Sequence, residues 1–147
     1  MVTRDPSPAE QIEEAWEVLR AAILKRTRVR EIVLEFLVRN HGPFGTEELF
    51  AKLKSKKLDL VTLYRTLASF DKAGVVRRCD FGDGIARYEF QLSRSHRHHV
   101  ICKVCRKARN FDQCFSDKLE QAIAKMGYSE ISHTLEFFGV CKSCRKV

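Results

Sequence analysis

No apolar run in this chain approaches 18 residues, so no stretch is a candidate membrane span. The opening MVTRDPSPAEQIEEAW is acidic and lacks the apolar core of a secretory signal. Both absences point to a cytoplasmic protein whose thiols stay reduced. No nucleophile–base constellation stands out, so the chain is expected not to be an enzyme. The aromatic platforms on which RNA-binding modules stack bases are lacking too. Acids are the scarcer charge: 19 Asp and Glu stand against 27 Lys and Arg, a formal net charge of +8.

The cationic excess is concentrated. Residues 20–78 hold fourteen Lys or Arg and six Asp or Glu, and the remaining segments nearly cancel. A localised basic stretch is the electrostatic footprint of a polyanion binder. The 147 residues suffice for one domain or two small lobes, and lobes of seventy-odd residues would each need a staple.

Caps and periodicity organise the first half. Ser7, Pro8 and Glu10 form a helix-start signature ahead of Ile12, Ala15, Trp16 and Leu19. A second amphipathic stretch follows Thr27 and ends at NHGPFG. Thr46 is expected to cap a short third helix, and Asp59 a fourth that runs to Gly74. VVRRC and ARYEF then read as two strands joined by DFGDGI, in which Asp83-Gly84 is a hairpin signal. Helices followed by such a hairpin describe a winged helix-turn-helix at residues 1–92, with the fourth helix entering a DNA groove, and a small α+β enzyme domain is compatible with the same order.

QLSRSH reads as a hinge, placed at 93–95, before a lobe at 96–147 of different character. Strands are expected around Val100-Ile101 and KARNF. A helix follows, carrying Phe115, Leu119, Ala122, Ile123 and Met126 and stopping at Gly127. A long final strand is expected over YSEISHTLEFFGVC. The fold class is therefore α+β, a winged helix-turn-helix followed by a small mixed α/β domain.

Cys102-x-x-Cys105 and Cys141-x-x-Cys144 lie 35 residues apart. Each pair presents two thiolates from a tight turn, and two pairs supply a tetrahedral structural Zn2+ site. A redox reading needs only one pair, so two pairs at the edges of one lobe favour zinc. In SHRHHVIC, strand geometry puts His96 and His98 on one face and Arg97 and His99 on the other. Neither face is expected to share an ion already held by four sulfurs. A second, open site or a plain run of hinge histidines are both compatible with the stretch.

With these pieces assembled, the chain resembles the ferric uptake regulator family of metal-dependent repressors. DLVTLYRTLASFDKAGVV, RYEF, HRHHVICKVC and SHTLEFFGVCKSC stand in that family's order and spacing, over residues 20–144. The resemblance implies a DNA-binding domain, a dimerisation domain with a zinc knuckle, and a homodimer on AT-rich inverted-repeat operators. It implies metal as co-repressor, members sensing iron, zinc, manganese, nickel or peroxide. By it, Cys102, Cys105, Cys141 and Cys144 match structural zinc ligands. His96, His98, Asp117 and His133 match a second site for an exchangeable divalent metal, Zn2+ or Fe2+. Glu89 and His99 match two ligands of a hinge site that is otherwise degraded. There Arg97 and Asn110 replace a histidine and an acid, and only His41 lies near the position of a further histidine. Asn110 also argues against peroxide sensing. Cys114 and Cys79 read as a spare thiol and a packing residue.

On the fourth helix, Leu60, Leu63, Leu67 and Phe70 form the stripe expected to be buried, with Thr62, Arg65, Thr66 and Ser69 facing out and Tyr64 at the edge. By resemblance, Tyr64 and Arg65 contact bases or phosphate. Lys25, Arg26, Arg28 and Arg30 ahead of the second helix, and Arg77 and Arg78 on the wing, are candidate phosphate contacts.

Overall fold

The computed structural model describes residues 6–40, 42–92, 98–111, 116–131, 133 and 135–145. The chain divides into two compact units, Met1–Arg94 and Ser95–Val147.

In the first unit the helices begin where side chains take up otherwise unpaired N–H groups. α1 (Pro8–Ala21) opens on a reciprocal box. Ser7 Oγ accepts from the Glu10 N–H at 3.3 Å, and the Ser7 N–H donates to Glu10 Oε2 at 2.6 Å. α2 (Arg28–Arg39) is capped by Thr27 Oγ1, which accepts from the Arg30 N–H at 3.4 Å. α3 (Thr46–Leu53) departs from expectation. Thr46 lies inside the helix and is buried, and Gly45 is the cap residue, its N–H donating to Glu48 Oε2 at 3.4 Å. A 3-10 turn over Lys54–Lys56 leads to α4 (Leu60–Ala73), which ends at Gly74 with φ +79°. That left-handed conformation is why a glycine stands there.

β2 (Val76–Asp80) and β3 (Ala86–Phe90) form the hairpin, with Arg77 opposite Glu89 and Arg78 opposite Tyr88. A two-residue strand, β1 (Phe44–Gly45), adds to the far side of β3, giving the order β1-β3-β2. Two residues after a proline carry no alternation, so this strand has no sequence signature. The core is continuous: Trp16 and Leu19, Leu34 and Leu37, Leu49, Leu63, Leu67 and Phe70, closed by Val76 and Phe90. Fully burying each large apolar side chain stabilises the unit by about 1.5–3 kcal/mol.

The second unit is built differently. β4 (His98–Cys102) is central, antiparallel to β5 (Ala108–Phe111) and parallel to β6 (Glu136–Gly139). α5 (Ser116–Lys125) lies between β5 and β6 in the chain, and Gly127 follows it at φ +94°. The long final strand shrinks to four residues. Glu130, with φ +53°, breaks the extended run, so Ile131, His133 and Leu135 precede the strand. Among the described residues of this unit, only Ile101 and Cys102 are buried apolar side chains. The expected apolar stripe of α5 is present but uncovered: Leu119 is 66% exposed and Met126 73%. No helix among the described residues is long and apolar enough to cross a membrane.

Candidate metal centre and nucleic-acid interface

Parallel pairing of β4 with β6 assembles the cysteines. Cys102 sits opposite Gly139, so both C-x-x-C turns leave the sheet at the same end. The Lys103 N–H donates to the Gly139 carbonyl at 2.7 Å and ties the turns together. The first turn closes through Arg106, whose φ is +61°, and the second through the Cys144 N–H on the Cys141 carbonyl. All four Sγ atoms lie within 4.8 Å of one another, and Cys105 Sγ is 3.8 Å from Cys141 Sγ. A tetrahedral ion with Zn–S bonds of about 2.3 Å needs sulfurs about 3.8 Å apart, so these residues fit zinc.

Electrostatics favour the same occupant. Cys102 Sγ accepts N–H bonds from Cys141 and Val104, each at 3.4 Å, and the Cys141 N–H first, then those of Cys105 and Val104, pull its pKa down to about 6. Hydrogen bonding to the sulfurs of Cys141 and Cys105 pushes the Cys144 thiol up to about 12. Four crowded sulfurs share their charge poorly among protons, and a divalent cation relieves that.

One histidine of β4 belongs to a second cluster in this unit. His98 is buried, and its ring centroid lies 5.3 Å from that of His133. His133 Nδ1 is 3.0 Å from Glu120 Oε1 on α5. Glu120 was not among the ligands expected from the sequence. Asp117 is one turn earlier on the same helix face, exposed, with no hydrogen bond to His133. The only signal was the three-residue spacing of two acids, which does not say which one reaches the histidine. His96 lies outside the described residues, as do His41, Arg97, Cys114 and Phe115. His99 is fully buried, on β4 opposite Asn110 of β5.

In the first unit, Glu89 is 4% exposed and meets Arg77 from the neighbouring strand. Arg77 Nε donates to Oε1 at 3.0 Å, and Nη2 reaches the same oxygen. Burial works against the Arg77 charge, but the Glu89 carboxylate more than offsets it and holds the guanidinium protonated. Cys79 Sγ lies 3.8 Å from that oxygen and is buried.

α4 presents the outward face of the winged unit. Asp59 accepts from the Thr62 N–H at 2.8 Å and from its hydroxyl at 2.6 Å, which lowers the Asp59 pKa and fixes Thr62. Tyr64 is 49% exposed and Arg65 is exposed with no acid beside it among the described residues. Val61, 58% exposed and one turn before Tyr64 and Arg65, completes this face. An apolar residue off the buried stripe was its signal. Thr66, expected to face out, is instead 5% exposed, because three residues from Leu63 it falls on the edge of the buried stripe.

The cations divide by occupation. Arg26 pairs with Glu31 at 2.7 Å and lies over the Trp16 ring, and Arg30 donates to the Lys25 carbonyl at 2.6 Å. Both hold the approach to α2. Lys25, Arg28 and Arg78 are exposed and have no acid partner among the described residues.

The winged unit and the four-sulfur knuckle are the setting for the comparisons. The sequence model of the ferric uptake regulator family matches residues 21–138. This chain belongs to that family. It is 30% identical over 141 residues to the peroxide operon regulator of Bacillus subtilis, covering 94% of this chain and 96% of that one. It is 31% identical over 138 residues to the ferric uptake regulation protein of Campylobacter jejuni, covering 90% and 87%. Among solved structures, the iron-bound ferric uptake regulator of Francisella tularensis superposes with a TM-score of 0.69 at 28% identity, over 84% of this chain and 96% of that one. Proteins of the family are metal-responsive transcriptional regulators that bind DNA and form dimers, and this chain is such a regulator.

Proposed function

We propose that this protein is a cytoplasmic, homodimeric repressor, not an enzyme, that binds AT-rich inverted repeats when a second divalent metal, zinc or iron, is bound. Residues 1–92 read the DNA, 93–95 are the hinge, and 96–147 dimerise and hold metal. The four-sulfur cluster carries this reading: its spacing matches a structural zinc site, beside a His98–His133–Glu120 grouping of a different donor type. Zinc bound by four thiolates supplies cross-linking and no open coordination position.

The second site draws on His98 and His133, with His96 and either Asp117 or Glu120. Nitrogen and oxygen donors exchange metal more readily than four thiolates, as sensing requires. Tyr64, Arg65 and Thr62 on α4, with Val61 beside them, face the major groove. Lys25, Arg28 and Arg78 bind phosphates, while Arg26, Arg30 and Arg77 support that surface. The uncovered side chains of α5 and β6, Leu119, Ile123, Met126 and Phe137, fit burial in a dimer. Regulation requires that the DNA-competent state hold the second ion more tightly than the other state does.

One observation favours a second reading, a constitutive zinc-stapled DNA binder. Glu89, a would-be hinge ligand, already has a cationic partner in Arg77. Operator binding titrated with zinc, ferrous iron and manganese at fixed salt separates the two. Affinity that rises with the second ion supports sensing, and a flat response supports the constitutive form.

A further inference from the structure

The zinc knuckle carries a charge that the proposed function does not use. Residues 102–111 and 137–145 contain six Lys or Arg and no acid. A zinc ion with four thiolates is formally 2−, so offsetting it leaves a surplus of about four positive charges. Beside the knuckle the sheet opens into a cavity of about 480 Å³, within the range of small-molecule sites. Val100 and Val140 supply exposed apolar lining, and Lys107, Arg109 and Lys142 stand around it. None of these three cations meets an acid among the described residues.

We propose that this cavity binds a small organic anion, a phosphate or carboxylate on an apolar body. Clustered cations without counter-ions repel one another, and a concave wall concentrates their field on whatever sits inside. The Arg109 guanidinium offers a planar fork suited to phosphate or carboxylate oxygens, with the two ammonium groups as point charges around it. The apolar lining argues for an organic ligand over a bare ion. It also argues against a DNA backbone, which brings only sugar and phosphate to a protein surface. Because all the lining residues lie within Ser95–Val147, the site needs nothing from the DNA-binding unit.

The test is a 1H–15N titration of the full-length, zinc-loaded protein with phenyl phosphate, with inorganic phosphate and benzyl alcohol as comparisons, all at constant ionic strength. The expected result is saturable shifts confined to the amides of Val100, Arg109, Val140 and Lys142, stronger with phenyl phosphate than with either comparison. Arg109→Gln should raise the dissociation constant about tenfold, as expected for one charge-assisted contact, and Lys103→Gln, outside the cavity, should not. Equal responses to all three probes, or shifts spread over every exposed cation, would overturn the site. So would cavity amides that respond only to random-sequence duplex DNA, which would make this a polyanion surface. Amides that never respond and stay protected from exchange in the dimer would mean that a second copy fills the cavity, and would also overturn it.

Discussion

Stripping the metal from the four cysteines should unfold Ser95–Val147 and leave Met1–Arg94 standing. The described residues of the second unit fully bury one large apolar side chain, Ile101. That is worth about 1.5–3 kcal/mol, whereas a structural zinc contributes roughly 10–16 kcal/mol. The first unit needs no such help, since seventeen of its described residues form one buried cluster. Each unit has its own reporter. Trp16 is the single tryptophan, 3% exposed in the first core, and the Ile101 amide lies mid-sheet in the second. After exhaustive chelation that removes the zinc under reducing conditions, Trp16 emission should stay blue while the Ile101 amide moves to an unfolded position, and added zinc should restore it. A metal-free protein with an unchanged Ile101 amide would refute the argument that zinc holds this unit. Trp16 emission reddening in step with loss of the Ile101 signal would refute the independence of the two units.

Five further substitutions test the site. Arg65→Ala should cost about 1–3 kcal/mol of operator affinity by anisotropy, with the thermal midpoint unchanged; undiminished binding by the folded variant contradicts the assignment. Arg78→Gln should lower the salt slope of DNA binding by about 0.9, the loss of one phosphate contact. Arg77→Ala should instead destabilise the winged unit, by less than the roughly 3–5 kcal/mol of a buried pair broken outright, because it takes the guanidinium away from the buried Glu89 carboxylate; a swap of these two phenotypes in melting and binding assays counts against the division of labour. Glu120→Gln should weaken binding of the exchangeable ion about 10- to 100-fold by competition titration, and Asp117→Asn much less. The reverse order would return the acidic role to Asp117.

Local chemistry made much of the fold legible. Ser7–Glu10, Thr27 and Asp59 mark helix starts because their side chains answer a purely local need for acceptors. Asp83-Gly84 marks the hairpin for the same kind of reason, the backbone twist of its turn. What the residues could not reveal depends on partners distant in the chain. β1 exists only because Phe44 and Gly45 meet Tyr88 and Arg87. Thr66 is buried by its neighbours despite its polarity. The amphipathic stripe of α5 was readable, but periodicity cannot say whether an apolar face meets its own chain or another. Within the site, the two C-x-x-C pairs are legible because each is a single turn with one chemistry. That Glu120, and not Asp117, meets His133 turns on where the loop carrying His133 comes to rest, and Arg77's attachment to Glu89 turns on strand register.

Metal content per chain, measured by elemental analysis before and after mild chelation under reducing conditions, tests the central claim most directly. The account predicts one zinc that resists chelation and a second ion that leaves, with operator affinity falling as it goes. A single resistant zinc, with no second ion taken up when zinc, iron or manganese is supplied, would contradict it and leave a constitutive DNA binder.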